Sequence, residues 1–410
     1  RDDVESRGLG DVYKRQLMNL DVMMTVAGTL LMLCVYANRI SMRYGIPSLL
    51  LFLSLGMLAG SDGAGIQFYN ARIANYIGTF ALAFILFSGG LDTKWNEVRP
   101  ALARGSLLST LGVFLTALFL YVCAYYILGL SFEVSLLLSV IVSSTDAPAV
   151  FSILRSQRRE LKPGLKPLLE FESGSNDPMA VLLSMGAIHF LSVPDFSIPH
   201  MLENFVWQMA VGLGTGYGFG RLASYMLCRW TLVYPGLYPV FGISTVLLTF
   251  SLTQLINGNG FLAVYIAGIV MGNYAFLYRR HFINFQDSLA WIMQIGMFLI
   301  LGLLVNPHEL PGVFPISFLC SVALIFIARP LAVFLCLLQS EYTTRDKLFI
   351  SWAGFKGAVP IILATYPMMY NFPNSGYLFN LIFFLVILSV LVQGNSLPWV
   401  ARKLGLYREN

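Results

Sequence analysis

Only 11% of the 410 residues are charged, whereas 57% are hydrophobic and the mean hydropathy is +0.71. Soluble domains carry roughly 25% charged residues, so this composition excludes a soluble enzyme or binding module and specifies a membrane protein. The net charge of +5 is accordingly a matter of topology across a lipid bilayer and gives no ground for a nucleic-acid partner.

Residues 1–16 are polar, lack the apolar core of a signal peptide and fit no helical pattern. They read as a non-native N-terminal segment ahead of a start at Met18. From there, apolar stretches long enough to cross a bilayer begin near residues 17, 46, 73, 101, 134, 165, 203, 239, 260, 288, 313, 348 and 377, thirteen in all. The second is short, about 46–58, and the connections leave no room for a soluble domain. With the N-terminus outside, alternate loops collect nineteen of the 26 basic residues, among them Arg39, Arg43, Arg155, Arg158, Arg159, Arg279, Arg280, Arg402 and Lys403. The positive-inside rule therefore predicts N-out and C-in, with a short cytoplasmic tail over 401–410.

Three spans hold a charge beside a helix breaker: Ser143-Ser-Thr-Asp-Ala-Pro148 in the fifth, Phe171-Glu-Ser-Gly-Ser-Asn-Asp-Pro178 in the sixth, and Gly354-Phe-Lys-Gly-Ala-Val-Pro360 in the twelfth. A charged side chain at the bilayer centre costs at least ~2.5–3.5 kcal/mol, so an acid retained there is a functional candidate. At ~1.5 Å rise per residue, Asp177, twelve residues from Leu165, and Asp146, ten from Ser156, lie at the membrane's middle. Glu172 and Lys356 lie seven and eight residues from the ends of their spans, which predicts a structural charge pair between them.

The chemistry follows from burial. A lone carboxylate in low dielectric binds a proton or a compensating cation, not both, and such mutual exclusion is the minimum machinery for antiport. Asp177 is the natural exchanger, and Asp146, Thr145 and the backbone oxygens freed by Pro148 suit a hard monovalent cation. Asn176 orders the broken region, and Glu170 faces an entry funnel or caps a polar face. His189 reads as an interfacial or core histidine, while His200, His281 and His308 fall in loops. Cys34, Cys123, Cys228, Cys320 and Cys336 form no Cys-x-x-Cys pair and read as apolar packing residues. Gly212, Gly214, Gly216, Gly218 and Gly220, with Gly268 and Gly272, read as close helix packing. No cofactor motif is present.

The spacing of the breaks suggests two inverted halves, as in transporters with discontinuous helices at corresponding positions. Residues 101–191 and 313–400 would then form the core, and 17–100 and 203–312 the scaffold.

Taken together, Glu172-Ser173-x-x-Asn176-Asp177, Thr145-Asp146-x-Pro148 and Gly354-Phe-Lys-Gly-Ala-Val-Pro360 resemble the NhaP-type monovalent cation:proton antiporters, as does Phe261-Leu-Ala-Val-Tyr-Ile-Ala-Gly268 in the ninth span. The fuller wording around Glu170 and Glu172 is similar to the potassium/proton branch. The resemblance implies an all-α, NhaA-type inverted-repeat fold with broken helices 5 and 12, a homodimer in a bacterial inner membrane, and a core moving against a dimerisation domain. It implies electroneutral exchange of potassium or sodium for a proton at Asp177, with Asp146, Thr145 and Ser173 completing the cation site and Glu172 bridging to a basic residue on helix 12. Two positions depart from the pattern. Ser88 stands where an acid is common, so a third carboxylate near the ion path is expected to be missing, and Lys356 stands where many relatives have Arg.

Other classes fit less of the chain. A cation channel or membrane sensor needs no exchanging acid. An intramembrane aspartyl protease would need its second acid in a Gly-x-Gly-Asp setting, whereas Asp177 follows Ser175-Asn176.

Overall fold

The computed structural model describes residues 2–44, 47–68, 70–146, 150, 161–192, 197–230 and 232–407, without the side chains of 2–19, 42, 44 and 198. Among these residues the chain is all helical: α1 (Asp2–Tyr44), α2 (Ser48–Ala59), α3 (Ala71–Asp92), α4 (Trp95–Ile127), α5 (Phe132–Ile141), α6 (Leu165–Ser192), α7 (Ile198–Arg229), α8 (Leu237–Leu255), α9 (Gly260–Gly272), α10 (Arg279–Leu303), α11 (Pro307–Cys336), α12 (Thr344–Trp352), α13 (Ala358–Met369) and α14 (Ser375–Lys403). Seven of them are long and apolar enough to cross a membrane: the part of α1 from Leu20 to Ser41, with α3, α4, α8, α10, α11 and α14. Helix α1 begins at Asp2, so the N-terminal polar segment is helical, contrary to its sequence pattern.

Polar residues start several helices where the first N–H groups lack intrahelical partners. Asn70 accepts from the Ile73 N–H at 3.0 Å and Asn259 from the Leu262 N–H at 3.1 Å. Thr343 and Asp346 form a reciprocal capping box on α12. Glycines set the closest crossings. Gly212, Gly216 and Gly220 of α7 lie against the backbone of Asn259, Ala263 and Ala267 on α9, and Gly268 and Gly272 lie against α3, where a Cβ would collide with main-chain oxygens of Phe87 and Leu91. Close packing is thus what these glycines do, except Gly214 and Gly218, whose Cα faces open space.

Two of the apolar spans of the sequence hold a helix end. Helix α5 ends at Ile141 and the chain is non-helical at Ser144–Asp146, while α12 ends at Trp352 and α13 begins only at Ala358. Pro148 and the remainder of the fifth span lie outside the described residues. The sixth span behaves otherwise. Pro178 sits inside α6, which continues unbroken to Ser192, so a helix breaker in the sequence is no break in the fold. A proline forfeits one donor and leaves the carbonyl four residues back, that of Gly174, without its helical partner, a single loss that a packed helix tolerates; separately, Asn259 Nδ2 donates to Pro178's own carbonyl at 3.3 Å.

Helix bounds also correct smaller expectations. His200, His281 and His308 lie in the first turns of α7, α10 and α11, not in loops. Cys34, Cys123, Cys320 and Cys336 are buried free thiols, but Cys228 is exposed at the end of α7 and does not serve as core packing.

Candidate ion site

The two non-helical segments meet. The Asp146 N–H donates to the Phe355 carbonyl at 3.0 Å, and Lys356 Nζ donates to the carbonyls of Ser143 at 3.3 Å and Ser144 at 2.8 Å. These carbonyls terminate α5, the negative end of a helix dipole, so a cation there is favourable. The complementary charge stands opposite. Asp146 packs its carboxylate against Gly357 at the N-terminus of α13, where any Cβ would collide with Oδ2 and no other residue fits. The crossing is held from behind: the Lys356 N–H donates to Ser389 Oγ at 3.0 Å, Ser389 donates to Gln393 Oε1 at 2.6 Å, and Gln393 Nε2 reaches the Trp352 carbonyl at 2.9 Å.

Helix α6 brings its polar residues to this crossing. Ser173 Oγ donates to the Thr145 carbonyl at 2.8 Å, and Asn176 Nδ2 donates to Thr145 Oγ1 at 2.6 Å. Asp177 is 7% exposed, and its Oδ1 has no hydrogen-bond partner among the described residues. A cavity of about 250 Å³ opens in front of it, lined by Thr145, Asp146, Glu170, Ser173, Gly174 and Asp177 on one side. Ser88, Asp92, Thr93, Tyr265, Asp287 and Gln294 line the other. Asp146, Thr145, Ser173 and Asp177 therefore share one cavity. Asn176 stands behind it, positioning Thr145.

The predicted pair of Glu172 with Lys356 is not formed. Glu172 takes Arg329 of α11, with Nη2 to Oε1 at 2.5 Å and both residues 1% exposed, while Lys356 serves the α5 carbonyls. Equal depth places two groups on one level, but each helix's rotation decides which neighbour it faces. Gly354 of the twelfth span still takes part: its missing side chain leaves room for the Arg329 guanidinium. An arginine inside an apolar run demands a counter-charge, which was the available signal for this pair.

Carboxylates beyond Asp146 and Asp177 also line the cavity, namely Asp92, Glu170 and Asp287, contrary to the reading of Ser88. Ser88 Oγ donates to Asp287 Oδ1 at 2.6 Å on the cavity wall. Asp287 escaped notice because the tenth span appeared to start near 288; α10 begins at Arg279, which carries Asp287 two turns into the helix.

With this geometry in view, the sodium/hydrogen exchanger transmembrane family matches residues 28–403. The chain belongs to that family. It is 42% identical over 395 residues to the K(+)/H(+) antiporter NhaP of Alkalimonas amylolytica, covering 95% of this chain and 68% of that protein. It is 41% identical over 372 residues to the K(+)/H(+) antiporter NhaP2 of Shewanella sp. (strain ANA-3), covering 90% and 64%. This exchanger-family chain thus spans about two thirds of the length of those relatives, which are membrane transporters and not enzymes. Its fold is that of the sodium proton antiporter MjNhaP1 from Methanocaldococcus jannaschii, with a TM-score of 0.81 at 23% identity, covering 95% of this chain and 99% of that one.

Proposed function

We propose that the chain exchanges one monovalent cation for one proton at Asp177 by alternating access. The observation that carries this reading is the buried Asp177 carboxylate, which faces a cavity and has an oxygen without a protein partner. Such a group binds a proton when neutral and a cation when ionised, and each excludes the other. Asp146, Thr145 and Ser173 complete the cation's surroundings, and Asn176 fixes Thr145. Lys356 holds the negative end of α5 throughout the cycle, so it releases no proton.

Because the carboxylate carries either one proton or one cation, the loaded site has the same charge in both directions and exchange is electroneutral. Potassium is the first cation to examine, since the relatives at 41–42% identity are named K(+)/H(+) antiporters, with sodium second because a 25% identical relative from Aphanothece halophytica is named an Na(+)/H(+) antiporter. We infer thirteen spans, with α12 and α13 as halves of one broken span, the N-terminus outside and the basic loops in the cytoplasm of a bacterial cell, with the protein in the inner membrane. Core helices over 101–191 and 313–400 move against a scaffold over 17–100 and 203–312, and that scaffold pairs two copies into a homodimer.

The test is reconstitution into vesicles with an imposed pH gradient, challenged in turn with potassium, sodium and lithium. Wild type should move protons on addition of cation, and Asp177→Asn should abolish the signal at unchanged protein incorporation, because an amide carries neither exchangeable proton nor charge. Cation-dependent exchange retained in Asp177→Asn removes this residue from the mechanism.

A further inference from the structure

Asp287 is the one carboxylate on the α10 wall of the cavity, and its setting is specific. Among the described residues its hydrogen-bond partner is Ser88, a hydroxyl on α3 that is 6% exposed and donates to Oδ1 at 2.6 Å. No lysine, arginine or histidine of the described residues pairs with it. Unpaired carboxylates are expensive to hold away from bulk water, and here the hydrogen bond fixes the group at the cavity surface. Eight residues of α10 separate Asp287 from Arg279, about 12 Å of rise, whereas Asp177 lies about 18 Å along α6 from Leu165. Asp287 is therefore the shallower acid, nearer the end of the bundle that carries the basic loops.

A second polar group at the cavity is the Tyr265 hydroxyl. The Tyr265 side chain of α9 is 2% exposed, and its hydroxyl makes no hydrogen bond among the described residues. The ring lies on Gly174, in space that a Cβ there would fill. Glu170, Gly174 and Asp177 share one face of α6 at i, i+4 and i+7 spacing. The hydroxyl thus sits over the stretch of α6 between the cavity's shallower acids and Asp177.

We propose that Asp287, oriented by Ser88, is a cation-binding residue that takes the incoming monovalent cation first, and that the Tyr265 hydroxyl supports its passage to Asp177. A carboxylate followed by a neutral hydroxyl replaces hydration water in steps, so the ion reaches Asp177 partly dehydrated. The inference rests on the Asp177 reading and adds to it a station contributed by α3, α9 and α10.

The experiment uses full-length protein in vesicles, with potassium as the probe and initial rates measured across potassium concentrations. Asp287→Asn should raise the apparent KM for potassium roughly tenfold, the loss expected for one charge-assisted contact, with little change in maximal rate. Ser88→Asp combined with Asp287→Ser moves the carboxylate to the facing side of the same 2.6 Å contact and should restore the wild-type KM. Tyr265→Phe should raise KM by a smaller factor. A structural role for Asp287 would lower stability or maximal rate and would not be rescued by exchanging the two positions.

Wild-type KM in Asp287→Asn overturns the inference, as does a raised KM that the exchanged pair fails to correct. If Asp287→Asn does not fold, the exchanged pair decides alone, and a KM far from wild type refutes the proposal. Wild-type vesicles that show no cation-driven proton movement refute the Asp177 reading and this one together; wild-type exchange with an indifferent Asp287 refutes only this one.

Discussion

Removing Arg329 should strongly destabilise the protein, and removing Glu172 with it should undo most of the damage. Glu172 and Arg329 are each 1% exposed and share one contact at 2.5 Å, and Glu172 Oε2 with Arg329 Nε and Nη1 has no further partner among the described residues. Arg329→Met leaves an ionised acid with nothing to compensate it, which costs about 3–5 kcal/mol for a buried pair. Glu172→Leu alone strands the guanidinium at a similar cost, whereas Arg329→Met with Glu172→Leu buries two apolar side chains and should lie within about 1–2 kcal/mol of wild type. The coupling between the sites is then about 3 kcal/mol or more, far outside the additivity expected of independent positions. Thermal unfolding of the detergent-solubilised protein provides the assay, with the double variant expected well above both single variants. Additive losses in this cycle would refute the reasoning.

Gly174→Ala should lower the transport rate, because the new Cβ collides with the Tyr265 ring, and overpacking should cost about 1–3 kcal/mol of stability; Gly174→Ala combined with Tyr265→Ala should recover stability, and failure to do so would deny the contact its importance. Initial exchange rates in vesicles clamped at several potentials, with an ionophore for an ion the protein does not carry, should be independent of voltage; a steep rise would show that a second proton moves and would implicate Lys356. In the loop after α2, Asp62 Oδ2 meets the His308 N–H and Nδ1 at 2.9 and 2.7 Å, and these contacts hold the Asp62 carboxyl below the usual carboxylate range. A depressed folded value stabilises above the unfolded value of about 3.9 and is lost as pH falls through the folded value. Asp62→Asn should therefore shrink the drop in melting temperature between pH 6 and pH 3, and an unchanged drop would contradict the assignment.

Membrane insertion is a one-dimensional problem, and a one-dimensional string is enough to read it. Hydropathy along the chain identified a membrane protein, and a fixed rise per residue gave Asp177 an expected place at mid-depth, where an acid is too costly to be idle. The breaks near Asp146 and Gly354–Gly357 were legible because charge and helix-disfavouring residues coincide there, although the same signal at Pro178 misled, because a proline removes only one donor and α6 runs through it to Ser192. Direction around each helix axis was not legible. Glu172 and Lys356 sit on matching levels, yet Glu172 turns to Arg329, 157 residues away, and Lys356 to Ser144, 212 away. Asp287 likewise enters the cavity only because α3 and α10 pack with Ser88 against it. Partner choice follows from how helices distant in sequence rotate and pack on one another, and neither depth nor periodicity within one span contains that rotation.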